Sequence, residues 1–453
     1  RGVILVLVTI ASFINPFTAS AINLALPVIG TEFSADAATL AWVSSTYLLA
    51  SVIFLLPAGR LGDSRGRVRI FLIGIVVYAA GSILSIFTSS MSLLLLFRFV
   101  QGVGGAMINA TSVALIASLF PPGRRGYAIG INTTAVYAGL SFGPFLGGVL
   151  TQFFGWRSIF IVTALLAVPV LFYARKFPAF LNEREMEHFD LPGLALSSAL
   201  ILCLFLGLAW ITTHAGLLLL AASLVLGVVF FRVEQHRPDP LLPISLLQKN
   251  RVFAASNVAA LINYSATYAV AFLLSLYLQY VRGYEPAAAG TLLLIQPIVQ
   301  VFVAPAAGRL ADRVEPGLLA SLGMGVAAVG LFGLSLLNET TPITLVLALL
   351  FLVGTGVGLF SSPNTTAIMG SVEKRFYGSA SAMVATMRSL GMMLSMGAVL
   401  VVFAVIMGST TVTPEVFPEF MKSLRLLFQA FTALSVFGVF LSLSRNKNRG
   451  EGL

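Results

Sequence analysis

The 453 residues contain one cysteine, Cys203, so no disulfide can close within the chain and no thiolate cluster can bind a metal. Histidine is almost as scarce: His188, His214 and His236 fall between apolar runs or at their ends. Only 10% of residues are charged, against about a quarter in a soluble domain. None of the 17 acids lies in the core of an apolar run. No nucleophile–base or metal-ligating constellation is therefore available inside those runs. An intramembrane enzyme is excluded, and neither metal nor cofactor is expected. The chain also lacks G-x-x-x-x-G-K-[ST], the loop that cradles a nucleotide's phosphates, so nucleotide-driven transport is not expected.

What fills the chain is apolar: 58% of residues are hydrophobic and the mean hydropathy is +0.97. This composition predicts an all-α polytopic membrane protein. A spanning helix needs ~20 apolar residues. Fourteen such runs occur, at 3–28, 40–59, 69–88, 91–118, 126–151, 157–175, 191–211, 215–232, 253–281, 287–308, 317–337, 342–365, 376–407 and 422–444. The first is too long for a signal-peptide core, shows no cleavage site, and reads as a retained helix.

The net charge of +10 could suggest a nucleic-acid partner, but the basic residues sit in short loops, where membrane topology explains them better. With the N-terminus cytoplasmic, 21 of the 27 Lys and Arg residues fall on the inner side. Arg157, Arg282, Lys422 and Arg425 fall outside, and Arg98 and Arg388 lie within spans. The bias places both termini in the cytoplasm. The runs then group as a six-helix half (1–176), a linker with two extra helices (177–252) and a second six-helix half (253–453). The two extra helices carry few polar residues and read as peripheral or lipid-facing.

Between the second and third runs lies Gly59-Arg60-Leu61-Gly62-Asp63-Ser64-Arg65-Gly66-Arg67-Val68-Arg69. Arginines in a short inter-helix loop mark the cytoplasmic face, and glycines let helix ends approach closely. The aspartate is expected where the following helix begins, since a helix N-terminus favours negative charge. A partial echo, Gly308-Arg309-Leu310-Ala311-Asp312-Arg313, follows in the second half, as in an internally duplicated membrane protein. This stretch resembles the cytoplasmic loop motif of the major facilitator superfamily. The resemblance covers nearly the whole chain, and six plus two plus six helices match its fourteen-helix drug:proton antiporter branch. It implies a gating role for Gly59, Asp63, Arg67, Gly308 and Asp312.

Other runs carry further parts of the resemblance. Arg98-Phe99-Val100-Gln101-Gly102 resembles the family's fourth-helix motif, which implies a role for Arg98 in proton or substrate coupling. On physical grounds alone, a charge inside a span costs ~2.5–3.5 kcal/mol and needs a partner. The residues equally allow a structural arginine bonded to backbone carbonyls. In the fifth run Gly139, Gly143, Pro144, Gly147 and Gly148 give small residues at helical spacing around a proline. That pattern matches G-x-x-x-G-P-x-x-G-G, which the resemblance associates with exporters. Arg388-Ser389-Leu390-Gly391 resembles a recurring R-x-L-G and lies roughly 20 Å into its span at ~1.5 Å per residue.

One departure stands out. Asn23-Leu24-Ala25-Leu26-Pro27 matches the end of the first-helix pattern D-x-T-x-x-N-x-A-L-P, but Thr18 replaces the aspartate and Ser20 the threonine. Proton antiport needs a titratable group. The acids available for that role are Asp63 and Asp312 at the inner rim and Glu32 and Asp36 at the outer rim.

The sequence therefore predicts a secondary active exporter of small amphipathic organic compounds, multidrug-efflux in type, working by alternating access with protons as the coupling ion. It would act as a monomer in the inner cell membrane. Substrate and coupling contacts are expected from Asn23, Arg98, Gln101, Asn132, Asn257, Gln296, Gln300 and Arg388. Two buried arginines without a buried carboxylate favour anionic, zwitterionic or neutral substrates. The alternative is a facilitator or exchanger of an organic anion or lipid-like metabolite without proton coupling. A non-transporting sensor or scaffold would predict soluble appendages or degraded motifs, and neither occurs.

Overall fold

The computed structural model describes residues 2–120, 122–173, 191–237, 244–311, 313–373, 377–408, 410 and 412–444. Their regular structure is helical. In order come α1 (Gly2–Phe33), α2 (Ala37–Arg65), α3 (Arg67–Ile86), α4 (Met91–Leu119), α5 (Pro122–Phe154), α6 (Arg157–Phe172), α7 (Leu191–Ala209) and α8 (His214–Gln235). Next are α9 (Ile244–Lys249), α10 (Arg251–Thr267), α11 (Val270–Leu276) and a π-helical turn at Tyr277–Val281. The chain continues with α12 (Pro286–Leu293), α13 (Ile295–Leu310), α14 (Pro316–Leu334), α15 (Ile343–Gly370), α16 (Tyr377–Ile406) and α17 (Phe417–Ser444).

Helices dominate because a chain in lipid must satisfy its backbone groups internally. Each of the fourteen apolar runs coincides with helix, but among the described residues thirteen segments are long and apolar enough to cross a membrane. The sixth run gives α6, with 16 residues. Two runs expected to be continuous are interrupted. The ninth breaks at Tyr268–Ala269 and closes on the π turn, and the tenth breaks at Leu294.

The chain divides into two compact units, Arg1–Leu204 with Ser275–Thr291, and Phe205–Leu274 with Leu292–Leu453. In the first unit α1 packs on α5 and α6, and α4 packs on α2 and α3. Gly104 lies against the Tyr78 backbone and Gly102 against the Tyr47 carbonyl, so α4 approaches both neighbours with no side chain between. In the second unit α15 packs on α13 and α14, and α10 packs on α15, α16 and α17. Ala259, Ala260, Ile262, Ala320, Met324 and Phe360 form a core there.

Large apolar side chains also point outward, among them Phe87, Phe172, Leu218, Leu224 and Phe302, as lipid contact requires. On α8 the buried residues are only Gly216, Ser223, Phe230 and Glu234, a narrow stripe on an otherwise apolar, exposed helix. Glu234, which the sequence placed in a loop, is in the last turn of α8 and is buried.

Candidate functional site

The loop motif is mostly helix. α2 continues through Gly59 and Asp63 to Arg65, and the turn is made by Gly66 alone, whose φ of +98° favours glycine. Asp63 thus lies in the last turn of α2, not at the start of α3 as its charge suggested. The correction comes from Gly66, which moves the helix boundary three residues on. Arg67 opens α3 and donates from Nη1 to Ser118 Oγ at 3.1 Å. Gly308 lies in α13 with Ser362 against it, and Asp312 lies outside the described residues.

Arg98 is fully buried among α2, α3 and α4. Its Nε donates to the Val43 carbonyl at 3.1 Å and its Nη1 to Gln101 Oε1 at 2.9 Å. Gln101 Nε2 donates onward to Ser82 Oγ at 2.8 Å. The guanidinium sits 4.5 Å from the centre of the Tyr47 ring, a cation–π contact. Carbonyl, amide and ring face together compensate the charge. Thr18 is equally enclosed: its hydroxyl donates to the Ile14 carbonyl and lies 3.0 Å from Thr163 Oγ1 on α6.

The glycines of α5 form one stripe against α1. A methyl group on Gly139 would meet the Phe13 carbonyl at 2.6 Å, and one on Gly147 the Ala21 Cα at 2.6 Å. Gly143 faces Ser20, whose hydroxyl also donates to the Gly139 carbonyl at 3.3 Å. Residues at i, i+4 and i+8 share a helix face, so the three glycines let two backbones touch along two turns. Gly148 points elsewhere, onto the Pro286 carbonyl, and Gly290 meets the Pro144 carbonyl.

Residues 275–291 belong to this first unit and are tied to α1 and α5 by polar bonds. Ser275 Oγ donates to the Asn23 carbonyl at 2.7 Å, and Gln279 Nε2 donates to the Leu24 carbonyl at 3.2 Å. Gln152 Oε1 accepts from the Ala287 amide at 3.1 Å. The Asn23 side chain accepts from Ser44 Oγ at 3.0 Å. Ser275 and Gln279 escaped the sequence reading. A signal existed, because Pro27 cannot donate to the carbonyl four residues before it, and that carbonyl is Asn23's. Its partner lies some 250 residues away and is not legible locally.

In the second unit Arg388 is half-buried on α16, with no hydrogen bond or ion pair among the described residues. Asn257 on α10 is fully buried; its Nδ2 donates to the Phe253 carbonyl while its Oδ1 has no partner among the described residues. Asn263 is fully buried with neither side-chain N nor O bonded among the described residues. Asn364 donates to the Ser256 carbonyl at 3.0 Å. Gln296 and Gln300 are half-buried on α13. A cavity of about 200 Å³ among α10, α16 and α17 is lined by Leu261, Ile262, Leu394, Ala398, Phe431, Leu434 and Ser265, so it is almost wholly apolar. Asn132 on α5 is buried, and its Oδ1 has no partner among the described residues.

The acids expected at the outer rim are engaged. Glu32 Oε2 accepts from Trp156 Nε1 at 2.6 Å, and both its oxygens accept from Arg157, at 2.6 and 3.0 Å. Asp36 caps α2 by accepting from the Thr39 amide at 2.7 Å.

A family profile for the Major Facilitator Superfamily matches residues 8–396. The riboflavin transporter RibZ of Clostridioides difficile is 30% identical over 86% of this chain and 85% of its own length. The multidrug efflux pump LfrA of Mycolicibacterium smegmatis is 30% identical over 81% of this chain and 74% of its own. Among solved structures, an inward-facing, unoccupied bacterial homologue of the human lysosomal transporter Spinster aligns with a TM-score of 0.70. It is 16% identical and covers 98% of this chain and 96% of that one.

Proposed function

The chain belongs to the Major Facilitator Superfamily, a family of non-enzymatic transport proteins, and on that membership we propose that it is a secondary active exporter of small amphipathic organic compounds. Its many apolar helices make it a multi-pass membrane protein. The observation that carries the export reading is the α5 stripe, where Gly139, Gly143 and Gly147 sit against the α1 backbone in the pattern that the resemblance associates with export. The similarity to a named efflux pump supports the same direction of transport.

In this reading the monomer crosses the inner cell membrane fourteen times, with both termini cytoplasmic and with halves at 1–176 and 253–453 around a linker at 177–252. Substrate and coupling contacts are drawn from Asn23, Arg98, Gln101, Asn132, Asn257, Gln296, Gln300 and Arg388. Gly59, Asp63, Arg67, Gly308 and Asp312 serve the inner gate. Inward proton flow drives export, and its carriers are carboxyls at helix ends.

A second reading, exchange or facilitation of an organic anion or lipid-like metabolite without protons, is favoured by Thr18. It occupies the first-helix acid position and is closed in by Ile14 and Thr163. Proteoliposomes carrying an imposed pH gradient separate the two. Accumulation of organic solutes that collapses with a protonophore supports proton-coupled export. Flux indifferent to the gradient transfers the chain to the second reading. No flux of any organic solute would sink both.

A further inference from the structure

The two intramembrane arginines are in opposite situations. Arg98 has no exposed surface, and Val43, Gln101 and Tyr47 surround its charge. An arginine held this way fixes α2 to α4. Arg388 is half-exposed within its span and has no bonding partner among the described residues. Nor is an internal counterion at hand among the described residues. The described acids of the second unit, Glu234, Glu315, Glu339, Glu373, Glu415 and Glu419, stand at helix ends or between helices. A cation in a span without a protein partner calls for water or for an anion from outside the chain.

The packing places a second polar group near that level. Phe253 of α10 clusters with Ala380 and Met383 of α16, and the Leu261 carbonyl lies against Gly391. Asn257 is midway between Phe253 and Leu261, as Met387 is between Met383 and Gly391, so Arg388 stands one residue past the level of Asn257. The Asn257 Oδ1 is buried and unbonded among the described residues, an acceptor awaiting a donor.

We propose that Arg388 binds a carboxylate-like anionic group of the transported compound and that Asn257 accepts from a hydroxyl or N–H on the same compound. This rests on the transporter reading above and narrows it to amphipathic organic anions. A guanidinium suits a planar carboxylate because two N–H groups can donate in parallel, a geometry that lysine cannot reproduce.

The test is equilibrium binding to the full-length purified protein, read by fluorescence anisotropy against empty micelles. The probes are fluorescein, an organic anion, and rhodamine 123, a cation on a similar ring system. Wild type is expected to bind fluorescein at least tenfold tighter than rhodamine 123. Arg388→Gln should abolish that preference while leaving rhodamine 123 binding within twofold. Arg388→Lys, which retains the charge should the Gln variant fail to fold, should weaken fluorescein several-fold and spare rhodamine 123. Equal binding of the dyes by wild type, a preference that survives Arg388→Gln, or binding of neither dye overturns the assignment. Proteoliposome flux of any organic solute is scored separately, so export can stand where this anion site falls.

Discussion

Ser275 donates its hydroxyl hydrogen bond, at 2.7 Å, to the one α1 carbonyl, Asn23's, that Pro27 strips of its helical amide. A buried carbonyl left unbonded costs about 1–3 kcal/mol. Ser275→Ala should therefore lower the stability of the purified protein by roughly that amount. Pro27→Ala restores the amide, so the Ser275→Ala penalty should shrink in the Pro27→Ala background. A thermal-melt double-mutant cycle checks this, and additive effects would refute the substitution of one donor for the other.

The α5 stripe gives a contrast within one helix. Gly147→Ala drives a methyl group into the Ala21 backbone, which cannot move aside, whereas Gly130 has open space around it. Overpacking a tight contact costs about 1–3 kcal/mol, and glycine to alanine in an open helix position gains up to about 1 kcal/mol. Melting temperature should fall for Gly147→Ala and rise or hold for Gly130→Ala. Solute flux should fall with the first substitution alone.

The sequence made the helices legible because hydropathy reports burial in lipid directly, and the glycine spacing of α5 announced a close partner without naming it. What it did not carry was distance in three dimensions. Thr18 and Thr163 meet across α1 and α6, and neither residue type advertises the other. The break at Tyr268–Ala269 has no proline or glycine to signal it, and Asp63 was misplaced because Gly66, one of several glycines in the stretch, turned out to be the turn. The two buried arginines looked alike in sequence, and only packing separates the enclosed Arg98 from the unpaired Arg388.

Gln101 shields Arg98 and passes its own amide to Ser82. Gln101→Leu keeps the volume but removes a hydrogen bond to a buried charge, worth about 1.5–3 kcal/mol. Gln101→Glu keeps an acceptor for Arg98 and loses the donor to Ser82. The leucine variant should melt well below wild type and the glutamate variant less so. Equal losses in a thermal-shift assay would show that the link to Ser82, whose donor both variants lack, dominates over the link to Arg98.

At the break in the ninth span, the Ala269 amide donates to Ser395 Oγ at 3.1 Å instead of to a helical carbonyl. Ser395 is on α16, seven residues and about two turns beyond Arg388, so it shares that helix face. The hydroxyl therefore links the shape of α10–α11 to the helix bearing the unpaired arginine. Ser395→Ala leaves the amide orphaned and should cost about 1–3 kcal/mol; Ser395→Thr retains the oxygen and should cost less. If the break merely accommodates packing, both effects end with stability. If it also sets the position of Arg388 relative to Asn257, fluorescein affinity should drop several-fold in Ser395→Ala at temperatures where the protein is fully folded. It should then recover in Ser395→Thr, while rhodamine 123 affinity stays constant. Melting curves and anisotropy titrations on the same three samples decide between the two.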